Sequence, residues 1–193
     1  MRHTPLMLSL AAALALSACA KNETPATGAA PAASATAAAA PAATQVAAVT
    51  DEHSYSQPDK VRTTDLALDL ALDFAKKTLS GTATYTLDWV DPNATQLVLD
   101  TRDLTISKVE GQGADGQWAP LEYKLADTAD KILGTRLTIE TPQRPKQVRV
   151  TYTTSPNASG LQWLEPSMTA GKQQPFMFSQ SQQIHARSWV PLQ

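Results

Sequence analysis

Between residues 66 and 89 the chain alternates apolar and polar side chains almost without interruption, and this pattern restricts the fold more than any other feature. Leu66, Leu68, Leu70, Leu72 and Phe74 are interleaved with Ala67, Asp69, Ala71 and Asp73. A period of two sends alternate side chains to opposite faces of an extended strand, so the leucines form one face directed at a core. Lys76 and Lys77 then make a turn. Leu79, Gly81, Ala83, Tyr85, Leu87 and Trp89 resume the alternation against Thr82, Thr84, Thr86 and Asp88. Two such runs with a short polar connection predict a β-hairpin.

The remaining pattern extends the same theme. Asp91-Pro92-Asn93 reads as a turn, because Pro sets φ and Asn tolerates unusual φ. Shorter strands are predicted at residues 97–99, 104–109, 118–123, 136–140 and 148–153. Gly111, Gly113 and Gly116 punctuate one loop, and Pro142 and Pro145 another. Residues 127–133 are expected to form a short helical turn, and no segment carries a sustained helical stripe. Seven or so regularly spaced strands predict an all-β, mostly antiparallel sandwich or curved sheet.

The amino end reads differently. Arg2 and His3 precede an apolar run over residues 6–16, then Leu16-Ser17-Ala18-Cys19. A positive start, a short apolar stretch and small residues describe a secretory signal peptide rather than a membrane span. The last four of those residues resemble the bacterial lipobox, which implies cleavage after Ala18 and a lipid on Cys19, the only cysteine in the chain. A plain signal peptide cut near Ala20 is the alternative. Two or three acyl tails, each buried methylene contributing about 0.8 kcal/mol, would give a stable membrane anchor. Ala20 after the cysteine resembles outer-membrane sorting, so the domain is expected on the periplasmic side or surface of a bacterial envelope. Residues 19–50 are rich in Ala, Pro and Thr, with Pro25, Pro31 and Pro41 breaking any helix, and read as a disordered tether. The expected organisation is a signal peptide over 1–18, a linker over 19–50 and a β domain over 51–193.

From residue 51 onward 14 Lys and Arg oppose 17 Asp and Glu, the whole-chain 16 and 18 less Arg2, Lys21 and Glu23. That slightly acidic balance argues against nucleic acid as a partner.

Residues 154–187 hold the densest chemistry. Trp163, Phe176 and Phe178 stand beside Gln180, Gln182 and Gln183, followed by His185 and Arg187. Apolar bodies next to hydrogen-bonding side chains suit a ligand-lining strand. On a strand Gln180 and Gln182 would point one way, Ser181 and Gln183 the other. An exposed, Gln-rich strand end without chemistry has the same composition.

The string Phe-Ser-Gln-x-Gln-x-Ile-His-x-Arg over residues 178–187 resembles the segment closing the substrate pocket in zinc aminopeptidases of peptidase family M1, in the leukotriene A4 hydrolase branch. Residues 74–87, 97–109 and 154–164 resemble the same family, in the same order. The resemblance implies a saddle-like, mostly antiparallel amino-terminal β domain that supplies one wall of the pocket for peptide substrates and is joined to a catalytic domain of the same chain. It implies that Gln182 holds the substrate's amino end or first carbonyl, with Gln180 its neighbour. Ser181 departs from the Cys common in that branch. In the family zinc is held by His-Glu-x-x-His plus a further Glu. Here the histidines are only His3, His53 and His185, so no catalytic or zinc-binding residue is assigned within this stretch. The reading is the amino-terminal part of a zinc aminopeptidase. The alternative is a self-sufficient, lipid-anchored binding module without turnover.

Overall fold

The computed structural model describes residues 51–193, and the predicted signal peptide, Cys19 and the Ala/Pro-rich tether lie outside the described residues. Ten strands follow in chain order: β1 (Val61–Asp73), β2 (Thr78–Trp89), β3 (Gln96–Thr101), β4 (Thr105–Gln112), β5 (Trp118–Pro120), β6 (Tyr123–Leu125), β7 (Thr135–Glu140), β8 (Gln147–Thr153), β9 (Leu161–Leu164) and β10 (Phe176–Ser179). The only helical pieces among the described residues are 3-10 turns at Pro166–Met168 and His185–Ser188. The strands form a five-stranded sheet ordered β1-β2-β8-β4-β5, a three-stranded sheet β3-β7-β6 and the hairpin β9-β10, with every pairing antiparallel. The all-β, antiparallel sandwich expected from the alternation is what forms.

The β1-β2 hairpin is as predicted. Its turn is fixed by the Asp73 carboxylate, which accepts the Lys76 backbone N–H at 2.9 Å, and by Lys77 at φ 56°. The pairing register shifts between Thr63 and Asp65. Val61 and Thr63 therefore share a face with Leu66, Leu68 and Leu70, since the odd residue at the bulge inverts the parity of the strand. Gly81 sits opposite Leu70, where a Cβ would lie 2.0 Å from the Asp69 carbonyl oxygen. Glycine is what lets the two strands close at that point.

Between the two larger sheets lies the core. Ala83, Tyr85, Leu87, Val148, Val150 and Tyr152 come from the five-stranded sheet, and Leu97, Leu99, Leu137 and Ile139 from the three-stranded one. Each fully buried aliphatic or aromatic side chain contributes about 1.5–3 kcal/mol relative to exposure. Tyr85 remains compatible with this interior because its hydroxyl donates to the Pro191 carbonyl at 2.7 Å. Burial pushes the Tyr85 phenol well above its ordinary pKa, with Tyr152 adding to the effect.

Three expectations are corrected. The leucine face of β1 is not uniformly buried: Leu68, Leu72 and Phe74 are 41%, 48% and 38% exposed. Among the described residues β1 is an outermost strand, with β2 its only strand neighbour, so cover from the opposing sheet gives out along it. The single strand expected at 118–123 is two strands in different sheets. Leu121 still donates its N–H to the Val109 carbonyl, whereas the Glu122 carbonyl accepts from Glu140, so the chain changes sheets between them. Residues 127–133 form no helical turn. Asp130 instead bridges Gly134 in both directions, and its carboxylate accepts the Ile132 and Leu133 N–H groups at 2.7 and 2.8 Å. A short acceptor side chain satisfying its own downstream amides outcompetes a helical turn here.

Candidate functional site

The residues singled out in the sequence gather around the β9-β10 hairpin and the segment after it. Trp163 pairs with Met177, and its ring meets Phe74 edge-on at 5.4 Å and 89°. Phe176 and Phe178 point to the opposite face, with centroids 6.5 Å apart and 53% and 38% exposure. The aromatic residues are thus split, one packing inward and two presented outward.

The strand expected to carry the carboxamides stops at Ser179. Gln180, Gln182 and Gln183 lie beyond it in an exposed connection that turns at residues 182–184, so the alternating faces assigned to them do not exist. Gln180 still gives its N–H to the Gly160 carbonyl at 2.9 Å, the next pair in the β9 register, but pairing ends there because the Gly160 N–H goes to Ser188 Oγ instead of back to Gln180. The Gln180 side-chain oxygen then accepts the Gln182 N–H at 3.1 Å, closing a local turn. The Gln182 carboxamide itself makes no hydrogen bond among the described residues and is free to meet a ligand. Ser181 points back into the protein, where its Oγ accepts Trp189 Nε1 at 2.9 Å and its carbonyl accepts the His185 N–H at 3.0 Å.

His185 opens the following 3-10 turn. Its Nδ1 lies 2.9 Å from Ser159 Oγ, and no carboxylate among the described residues completes a catalytic triad with them. The pair instead fastens the turn to the approach of β9. Gly160 completes that attachment: its N–H donates to Ser188 Oγ at 2.8 Å, and a Cβ there would fall 2.6 Å from the His185 carbonyl oxygen and 2.8 Å from the Trp189 ring.

Beneath the turn lies a group the sequence reading did not assign. Arg187 and Asp100 are 5% and 2% exposed, with Nη2 and Oδ2 3.1 Å apart. Arg187 also donates to the Leu133 and His53 carbonyls at 2.8 and 2.7 Å. Asp100 accepts the Tyr55 N–H at 2.8 Å and the Ser54 hydroxyl at 2.6 Å. The Leu133 carbonyl is presented by the Asp130 turn, whose carboxyl is held below its usual pKa by the Leu133 and then the Ile132 amide. A signal was available. Asp100 follows Leu97, Val98 and Leu99 in a strand with an apolar run, and a carboxylate carried into a core needs a charged partner elsewhere.

Zinc does not fit here. Among the described residues no three His, Cys, Asp or Glu side chains approach one another closely enough to hold a metal ion. What the region offers is an exposed aromatic pair beside exposed carboxamides, carried on a firmly attached loop.

Residues 52–193 match the Peptidase M1 N-terminal domain. The chain is 35% identical over 150 residues to leukotriene A-4 hydrolase of Xenopus laevis, covering 75% of this chain and 24% of that protein. It is 36% identical over 144 residues to leucine aminopeptidase 2 of Yarrowia lipolytica, covering 73% and 21%. The structure of native yeast LTA4 hydrolase superimposes with a TM-score of 0.68 at 26% identity, over 77% of this chain and 23% of that one. The chain thus spans about a quarter of the length of these relatives. With its fold and most of its sequence aligned to them, it belongs to the peptidase M1 family through that family's N-terminal domain, and the family's catalytic domain is not in this stretch.

Proposed function

We propose that this domain serves a zinc metallo-aminopeptidase that removes amino-terminal residues from peptides, and that the carboxamide loop forms one wall of its substrate pocket. The zinc would be held by a catalytic domain of the same polypeptide, and no metal ligand is assigned to the residues described here. The observation carrying this reading is the Gln182 carboxamide, exposed and uncommitted on a loop whose backbone is tied down at both ends. A carboxamide donates and accepts at once, which suits a peptide amino end and its first carbonyl. Gln180 has a different part: its side-chain oxygen shapes the turn that presents Gln182. The relatives named leukotriene A-4 hydrolase and leucine aminopeptidase 2 support the reaction class.

The leader pattern supports a second element of the reading. Cys19 carries lipid, and the protein is tethered to a bacterial envelope membrane, the outer one favoured by Ala20.

Kinetics test the pocket assignment in the polypeptide that includes the zinc-binding domain. Gln182→Ala is expected to lower kcat/KM for short peptides roughly tenfold to a hundredfold, equivalent to about 1–3 kcal/mol of transition-state binding. Gln183→Ala should stay near wild type. The assignment fails if Gln183 matters and Gln182 does not.

A further inference from the structure

We propose that Arg187 is a positioning residue: through its buried pair with Asp100 it sets the conformation of the loop over residues 180–183. The proposal rests on the reading of that loop as a pocket wall for its use, though not for its test.

The loop is poorly fixed by its own bonds. Gln180, Gln182 and Gln183 face solvent, and Ser181 is held only by Trp189 and His185 of the following turn. Among the described residues the one hydrogen bond within the loop runs from the Gln182 N–H to the Gln180 side chain. Its placement therefore depends on what precedes and follows. On one side Gln180 is tied to the Gly160 carbonyl. On the other, four residues beyond Gln183, the Arg187 guanidinium reaches three groups from different parts of the fold. These are Asp100 in β3, the Leu133 carbonyl in the Asp130 turn and the His53 carbonyl in the segment entering the domain. The Arg187 backbone carbonyl in turn accepts the Arg102 N–H at 2.8 Å.

Guanidinium donors are planar and fixed in direction, so three acceptors on separate segments define where the Arg187 backbone lies. A four-residue connection cannot absorb a displacement of that anchor without moving the loop. An apolar pair of similar volume would fill the same space without directional bonds. Buried ion pairs often add little net stability over such a replacement, and orientation is then the property they supply.

Amide hydrogen exchange and thermal melting of the 193-residue chain distinguish positioning from packing. Arg187→Lys keeps a charge able to reach Asp100 but loses the fork. It should speed exchange of the His185, Trp189 and Val190 amides at least tenfold while leaving Ala83 and Val150 in the core strands protected. The double variant Asp100→Asn with Arg187→Met removes both charges and keeps an acceptor for Tyr55. It should melt near the wild-type temperature while the same three amides remain at least tenfold faster. Wild-type protection of those amides in either variant overturns the proposal. Failure of the double variant to fold also overturns it, because the pair would then be a requirement of the fold rather than of the loop. The readout needs no catalytic domain, so a null kinetic result for Gln182 leaves this test standing.

Discussion

At the scale of single residues, Gly160 shows how one missing atom governs the site. Its backbone bonds both to the loop, through Gln180, and to the turn, through Ser188. The nearest atoms a Cβ would meet are a carbonyl oxygen, an indole carbon and a buried hydroxyl, none at the end of a flexible side chain. Gly160→Ala is therefore expected to lower stability by about 1–3 kcal/mol, the usual range for overpacking. Urea melts of the chain measure this, and an unchanged midpoint would mean that the turn shifts freely. Ser188 and Thr154 follow the same logic, each a buried hydroxyl bonded to a backbone amide, of Gly160 and Leu79 respectively.

At the scale of elements, β1 and the β9-β10 hairpin leave apolar surface in solvent. Leu72 and Phe178 are both substantially exposed, and among the described residues β1 presents a free edge except near its start, where the Gln193 side chain bonds Val61 and Thr63. Exposed strand edges and apolar faces promote association. The 193-residue chain is expected to self-associate as its concentration rises, and Leu72→Lys with Phe178→Ser should reduce that association with little loss of thermal stability. Sedimentation velocity across a concentration series reads the outcome. Equal association in the double variant would locate the contact elsewhere. The alternation in β1 did identify a strand and its two faces. Whether each leucine is covered depends on the reach of the facing sheet, which a local pattern does not encode.

For the whole molecule, the proposed anchor makes the clearest prediction. If lipid on Cys19 supplies the membrane attachment, Cys19→Ser should shift the protein from the membrane fraction to the soluble fraction or leave it unprocessed. Normal processing with the same distribution as wild type would refute the lipoprotein reading. This prediction concerns the leader alone and is independent of the fold.

Much was legible because strand patterns are local. The hairpin, the turn at Asp91, whose carboxylate accepts the Asn93 N–H at 2.8 Å, and the antiparallel all-β class were all readable from neighbouring residues. The segment carrying the candidate site was also recognisable, from the string of residues resembling a known family. Tertiary contacts decided where β10 ends, because the Gly160 N–H that would return a bond to Gln180 goes to the Ser188 hydroxyl, twenty-eight positions later. They also decided that 118–123 divides between sheets and that Asp100 meets Arg187 across eighty-seven positions. Sequence by itself determined which residues could extend and alternate. Only the folded chain determined which carbonyls and charges stand within bonding distance, because distance in space is set by packing and not by order along the chain.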